Sequence, residues 1–309
     1  MSVRTHRKAT LSGLLGTLLV LTTVVTGAAA APASQAGHRR GTPAIEQFFS
    51  VIREPAQGLP GHTVYRPADL RAVGHRVPVV IWGNGACRRA NQQIITALTL
   101  IAARGFILIA DGAPEAPPST PGGVPEPARM IDAIDWVTQD KAARRQFDNR
   151  VDRSTIAVMG HSCGGIEALV AGADPRVDSV ASLNSGLFPG PDPFGGYGRE
   201  WLARLHTPTL FMHGGPSDVA YQNSIDNYNL VTVPALLVAN PEGGHSGFWF
   251  GLRNGQQDAT MIEEAVTVVV QWLDFTLNHN ASARRYFLDP CELCGRPGWT
   301  VESKNFSRR

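Results

Sequence analysis

The sequence lacks a marked excess of charge of either sign: its 309 residues hold 28 Lys and Arg against 26 Asp and Glu. Three of the basic residues, Arg4, Arg7 and Lys8, stand in an N-terminal stretch with no acid, and without them the balance turns slightly acidic. A near-neutral body has no electrostatic footprint for nucleic acid or another polyanion, so those partners are excluded. Past the N-terminal stretch no run is long and apolar enough to span a bilayer. No internal repeat is visible, and no linker interrupts residues 45–290. Charged residues make up only 17% against 43% hydrophobic, too apolar a balance for a disordered chain. With 32 Gly and 22 Pro, the chain is too rich in loop formers to be all helical.

The N-terminus has a basic start, an apolar run from Leu11 to Val25, and then small residues, Ala28-Ala29-Ala30-Ala31-Pro32-Ala33. This is the pattern of a secretory signal peptide over residues 1–30, cleaved after Ala30 or Ala33. The competing reading is an uncleaved anchor, since about 17 apolar residues barely span a bilayer. Residues 31–44 are read as a flexible linker, and residues 45–309 as the functional domain with its C-terminal tail. The mature chain is expected to be exported, with no stable membrane insertion.

Cysteine is scarce: only Cys87, Cys163, Cys291 and Cys294. In an exported protein, disulfides persist, and four cysteines allow three pairings. Cys291 and Cys294 have the spacing of half a zinc site, but no further ligands stand nearby, so no metal is expected. Pro290 before them and Gly295-Arg296-Pro297-Gly298 after them indicate a loop, not a redox motif on a helix. A local staple in the tail is the preferred reading. Cys87 and Cys163 are left to pair or to remain free.

From about residue 62, short β-branched runs alternate with helical patterns. Strands are expected at Thr63–Tyr65, Val77–Trp82, Phe106–Ala110, Ile156–Met159, Val180–Leu183, Thr209–Met212 and Leu236–Ala239. Helices are expected near Asn91–Ala103, Glu126–Thr138, Gly165–Gly172 and Thr260–Asn278, the last from the spacing of Ile262, Val266, Val269, Val270, Leu273 and Leu277. Apolar strands alternating with helices predict a single α/β domain, with a mostly parallel central sheet and helices on both faces. Two long Pro- and Gly-rich loops, Asp111–Pro125 and Asn184–Gly198, follow strand ends. They would lie on the sheet edge where open α/β sheets bind ligands.

The strongest motif is Gly160-His161-Ser162-Cys163-Gly164, a G-x-S-x-G run after an apolar strand and before a helical pattern. Its chemistry needs a serine lifted out of the sheet on a strained turn, with glycines where strand and helix backbones approach. Ser162 is then exposed as a nucleophile, and the amide of Cys163 faces a developing oxyanion. The serine needs a base, and the base needs an orienting acid, here expected in the order Ser, acid, His. Asp218, in a turn after Thr209–Met212, is the candidate acid, with Asp226 the fallback. His245, in the glycine-rich loop after Leu236–Ala239, is the candidate base. His161 and His213 are read as packing or hydrogen-bonding residues beside the site. The second oxyanion amide is expected from Gly85 or Ala86, in the glycine-rich loop after Val79–Trp82. If that loop meets the Ser162 turn, a Cys87–Cys163 disulfide would fix both donors. A free buried pair is the alternative.

Through these motifs, the chain from about His62 to Phe306 resembles the α/β-hydrolase superfamily. More narrowly, it is similar to the dienelactone-hydrolase-like branch that includes bacterial cutinases and polyethylene-terephthalate hydrolases. The residues that carry the resemblance are Thr63-Val64-Tyr65-Arg66-Pro67, Gly160-His161-Ser162-Cys163-Gly164-Gly165, Gly243-Gly244-His245-Ser246, and Ala283–Phe287 through Cys291-Glu292. The resemblance implies a serine ester hydrolase that needs no cofactor, with Ser162, Asp218 and His245 as its triad. The departures bear on substrate. Gly85 stands where polyester hydrolases place an aromatic clamp, Cys163 replaces the usual Met, and Asn184 follows a strand where a Trp is common. Phe188, Phe194 or Tyr197 would have to replace the aromatic wall. A small soluble ester is therefore expected as substrate in preference to a polyester, and a non-catalytic binding protein on the same scaffold is the rival class.

Overall fold

Short apolar runs build the central sheet, because a strand buried on both faces has no polar side to show. A computed structural model of the chain describes residues 48–118, 122–190 and 195–307. The predicted signal peptide and linker lie outside the described residues.

The strands are β1 (Val51–Pro55), β2 (His62–Pro67), β3 (Val77–Gly83), β4 (Ile107–Asp111), β5 (Val151–His161), β6 (Ser179–Leu183), β7 (Thr209–His213) and β8 (Ala235–Ala239). A two-residue hairpin, β9 (Leu252–Arg253) with β10 (Gln256–Gln257), stands apart, and β11 (Thr300–Lys304) closes the sheet. The sheet order is β1-β2-β4-β3-β5-β6-β7-β8-β11. The run from β4 to β8 is parallel, while β1, β2 and β11 add antiparallel edges. The helices are α1 (Ile95–Ala102), α2 (Pro127–Gln139), α3 (Lys141–Gln146), α4 (Cys163–Ala171), α5 (Tyr221–Leu230), α6 (Gly247–Phe250), α7 (Thr260–Thr276) and α8 (Ala281–Phe287).

Successive side chains of one strand enter opposite cores. Val80 and Trp82 of β3 join Leu98 of α1 and Val269 and Trp272 of α7 on one face. Val79 and Ile81 join Met130 and Ile134 of α2 and Leu169 of α4 on the other. Each such large side chain removed from water stabilises the fold by roughly 2 kcal/mol. The sheet is therefore rigid at its middle, where β3 and β5 end.

The structure differs from the sequence expectations at the margins. The helix expected from Asn91 begins at Ile95, after a 3-10 turn at Gln92–Ile94. Asn91 is buried and occupied instead: Tyr65 donates to its Oδ1, and its Nδ2 donates to Thr63 Oγ1 and the carbonyl of Asp111. The strands β1 and β11 and the helices α3, α5 and α8 had no apolar run to announce them, and the apolar Gly247–Phe250 of α6 is too short to show a helical period. Cys291 and Cys294 are disulfide-bonded, with Cα atoms 5.4 Å apart, directly after α8. The tail then returns over the body, where Trp299 stacks on Phe248 and its indole donates to Glu264 at 3.0 Å.

Candidate active site

Ser162 stands between β5 and α4 with φ 54° and ψ −118°, a conformation that L residues avoid. Glycine makes this turn possible. A Cβ on Gly164 would fall 2.1 Å from the Gly83 carbonyl carbon, and one on Gly160 would fall 2.3 Å from the Gly164 oxygen. The turn is tied down by the Ser162 amide, which donates to the Leu183 carbonyl at 2.9 Å, and by Ser185 Oγ, which donates to the Ser162 carbonyl at 2.6 Å.

His245 lies in the loop after β8. Its Nε2 is 3.0 Å from Ser162 Oγ, and its Nδ1 is 2.6 Å from Asp218 Oδ1. Three residues far apart in sequence thus form one hydrogen-bonded line. The loop is anchored from outside by Arg253, which pairs with Glu242, Asp258 and Glu264, each at 2.6 Å.

Asp218, after β7, has a fully buried side chain. Burial pushes its carboxyl up, but the bonds it accepts outweigh that and hold it below the usual carboxylate range. The donors are His245, the amides of Gly214 (3.0 Å) and Ala220 (2.9 Å), and Asn184 Nδ2 (2.7 Å). Asp226 is not brought to His245. It lies on α5, where Arg199 and Gln222 each donate to it at 2.7 Å.

The other two histidines take supporting positions. His161 Nε2 lies 2.8 Å from the main-chain oxygen of His245, and burial pushes its imidazole down to about 4. The ring is therefore neutral around pH 7, and Nε2 carries the donated proton. His213 Nδ1 accepts from the Gly215 amide at 3.1 Å, and the ring packs edge-on against Tyr221.

The oxyanion candidates converge on the same serine. Gly85–Cys87 forms a tight turn in which both Ala86 (φ 54°) and Cys87 (φ 50°) are left-handed. Asn84 braces it, with Nδ2 donating to the carbonyls of Arg88 (2.9 Å) and Asp111 (2.8 Å). The Gly164 amide donates to the Asn84 carbonyl at 3.1 Å, joining turn to helix. Cys87 and Cys163 are disulfide-bonded across this junction, with Cα atoms 5.2 Å apart.

Two cavities of about 410 Å³ each meet at Ser162, His245 and Ala86. The first is largely apolar, walled by Cys163, Pro125, Ile166, Phe188 and Val219. The second is lined by Gly85, Arg88, Gln93, His161 and Phe250. Of the aromatic residues considered for a wall, Phe188 lines the first cavity and Tyr197 packs on Trp201, while Phe194 lies outside the described residues.

Asn184 escaped sequence reasoning, which noted it only as the absence of a tryptophan. It donates to Asp218 Oδ2 and, at 2.9 Å, to the Gly244 carbonyl, while its Oδ1 accepts from the Trp249 indole at 2.9 Å. The available signal was a polar residue directly after the buried apolar strand β6.

A hydroxyl, an imidazole and a buried carboxylate in line can transfer the serine proton to the imidazole and stabilise the resulting positive charge. No family model matches the chain. The α/β hydrolase psoB of Aspergillus fumigatus is 29% identical to it over 178 residues, which is 50% of this chain and 38% of the relative. The match thus spans less than half the length of that curated relative. The large, mostly parallel sheet covered by helices is that of an α/β-hydrolase fold, and the distant likeness supports a hydrolase.

Proposed function

We propose that the protein is a secreted serine carboxylic ester hydrolase acting on small or short-acyl esters through an acyl-enzyme. The observation that carries this reading is His245, set between Ser162 Oγ and Asp218 Oδ1 at hydrogen-bonding distance from each. Ser162 Oγ attacks the ester carbonyl as His245 Nε2 takes its proton, and the Asp218 carboxylate stabilises the imidazolium. The amides of Cys163 and of Gly85 or Ala86 receive the oxyanion. His245 then protonates the leaving alcohol, and the same imidazole activates water to release the acid from Ser162. These steps call for no cofactor.

The modest, apolar first cavity favours a short acyl or alcohol group over a polymer chain. The glycine at position 85 in place of a clamping aromatic points the same way. Export is supported by the signal-like residues 1–30 and by two disulfides, which persist outside the reducing cytoplasm. Among the described residues no helix is long and apolar enough to cross a membrane.

The test is hydrolysis of p-nitrophenyl esters from acetate to palmitate by the parent and by Ser162→Ala. The parent is expected to peak at short chains, and the variant to lose about 10⁵-fold or more while remaining folded. A variant as fast as the parent would end the mechanism. Activity reaching long chains would return the lipid and polyester readings.

A further inference from the structure

Two consecutive residues of the oxyanion turn, Ala86 and Cys87, are held left-handed without being glycine. L residues are disfavoured in this conformation, so the turn persists only where its surroundings over-determine it. The restraints on it are few. Arg88 N donates to the Gly85 carbonyl at a long 3.3 Å, Asn84 Nδ2 bonds the Arg88 carbonyl, and the chain at Gly122 packs against the Cys87 carbonyl. The one covalent restraint is the disulfide to Cys163. Cys163 is itself the residue after the nucleophile, at the first position of α4.

The disulfide therefore spans the two segments that carry the proposed oxyanion amides, 76 residues apart in sequence. Both of its cysteines line the first cavity beside Ser162, and both are buried. Elsewhere at this junction Gly164 abuts Gly83, the Gly164 amide donates to the Asn84 carbonyl, and Gly85 abuts the His161 ring. Those contacts fix where α4 starts. The covalent tie between the Ala86–Cys87 turn and α4 is the disulfide.

We propose that Cys87 and Cys163 are positioning residues for ester hydrolysis: their disulfide holds the Gly85–Ala86 turn in register with the Cys163 amide, so that the oxyanion hole is preorganised. This rests on the ester-hydrolase reading above and names the device that reading depends on. Oxyanion donors act by being fixed before charge develops, and the full loss of one typically costs about 10²–10³ in kcat. A donor that is present but rotated loses part of that. The disulfide also forms part of the first cavity's wall, so a small change in KM is expected beside the larger fall in kcat.

The experiment compares the parent with Cys87→Ser/Cys163→Ser, and with Cys291→Ser/Cys294→Ser as a control lacking the distant staple. Kinetics on a p-nitrophenyl acetate or butyrate series are taken well below each melting transition, with the folded fraction from near-ultraviolet circular dichroism. We expect kcat to fall about 10- to 100-fold in the first variant, with KM within about threefold. A trifluoromethyl ketone, which forms an oxyanion adduct on the serine, should lose affinity by a similar factor. The control should lose melting temperature and keep both kinetic constants.

Equal kcat and equal inhibitor affinity in parent and Cys87→Ser/Cys163→Ser would overturn the proposal and leave a purely structural crosslink. If that variant does not fold, reversible phosphine reduction of the folded Cys291→Ser/Cys294→Ser control replaces it, with two free thiols per chain confirmed by titration before turnover is read. Lost turnover that returns on reoxidation supports positioning, and unchanged turnover overturns it. A parent without ester turnover would overturn the hydrolase reading and the clamp with it, a result distinct from a parent whose turnover ignores the disulfide.

Discussion

Asn184 Nδ2 donates to Asp218 Oδ2 at 2.7 Å, on the carboxylate oxygen that His245 does not take. The same amide reaches the Gly244 carbonyl, and its Oδ1 holds the Trp249 indole. One side chain thus links the acid, the loop carrying the base, and the helix that follows it. Its left-handed backbone (φ 48°) suits asparagine better than most residues.

Asn184→Ala should therefore strand the buried Trp249 indole and remove one of the two donors to Asp218 Oδ2, which keeps the Gly214 amide. An unsatisfied buried group costs about 1–3 kcal/mol, so a fall of several degrees in Tm and roughly a tenfold loss in kcat are expected. Asn184→Asp should be worse for activity, because a second carboxylate beside Asp218 favours protonating one of them. Thermal unfolding and ester kinetics on the two variants check this. A kcat for Asn184→Ala equal to the parent's would show that Asp218 holds its place without it.

Gly164→Ala tests how closely the helix start approaches β3. The added methyl would lie 2.1 Å from the Gly83 carbonyl carbon, which is backbone and has no rotamer to escape into. A destabilisation of about 2–3 kcal/mol is expected, with turnover lost at temperatures where the variant is still folded. Denaturant unfolding measures the first and kinetics the second. A variant of parental stability would mean that α4 can slide away from β3.

The central strands from β3 to β8 were legible through apolar stretches buried on both faces, whereas the polar start of β5 at Asp152–Thr155 carries no such signal. The edges were not legible. Val51-Ile52-Arg53-Glu54-Pro55 and Thr300-Val301-Glu302-Ser303-Lys304 pair on one side only, and their side chains meet water, so no hydrophobic signal marks them. Helix α5, Tyr221–Leu230, is similarly polar, and it buries mainly Ser224, Asn227 and Tyr228. At the site, Ser162, Asp218 and His245 were readable from motif and order because each follows a strand end. Asn184 follows one too, but its partners come from two other loops and helix α6, and only the folded backbone brings them within reach.

His161 contributes to the acid side of stability. Burial lowers its imidazole from 6.5 to about 4, so the folded state favours the neutral ring. The unfolded chain takes up the proton first as pH falls. Its contribution of about 3 kcal/mol is complete above pH 6.5 and is lost on the way down through pH 4. His161→Gln, which retains an N–H donor for the His245 carbonyl, should lose less stability at pH 4.5 than at pH 7, relative to the parent. Paired unfolding curves at the two pH values measure this, and an equal difference at both would place the proton elsewhere.

Glu167 works in the opposite direction, beneath the nucleophile turn on α4. Burial pushes its carboxyl up to about 7, the nearby Asp111 adds to the rise, and the Glu126 amide, Arg89 and Arg129 oppose it. An acid whose pKa is raised on folding stabilises the fold when protonated. That stability is complete below about pH 4.5 and falls as pH rises through 7, by roughly 3 kcal/mol in all. Glu167→Gln keeps an acceptor for the Glu126 amide and never ionises. It should match the parent at pH 5 and exceed it in Tm by several degrees at pH 8.5, with a flatter profile between. A parent and variant that track each other from pH 5 to 8.5 would mean that Arg89 and Arg129 hold the Glu167 carboxylate charged throughout, against the burial that surrounds it.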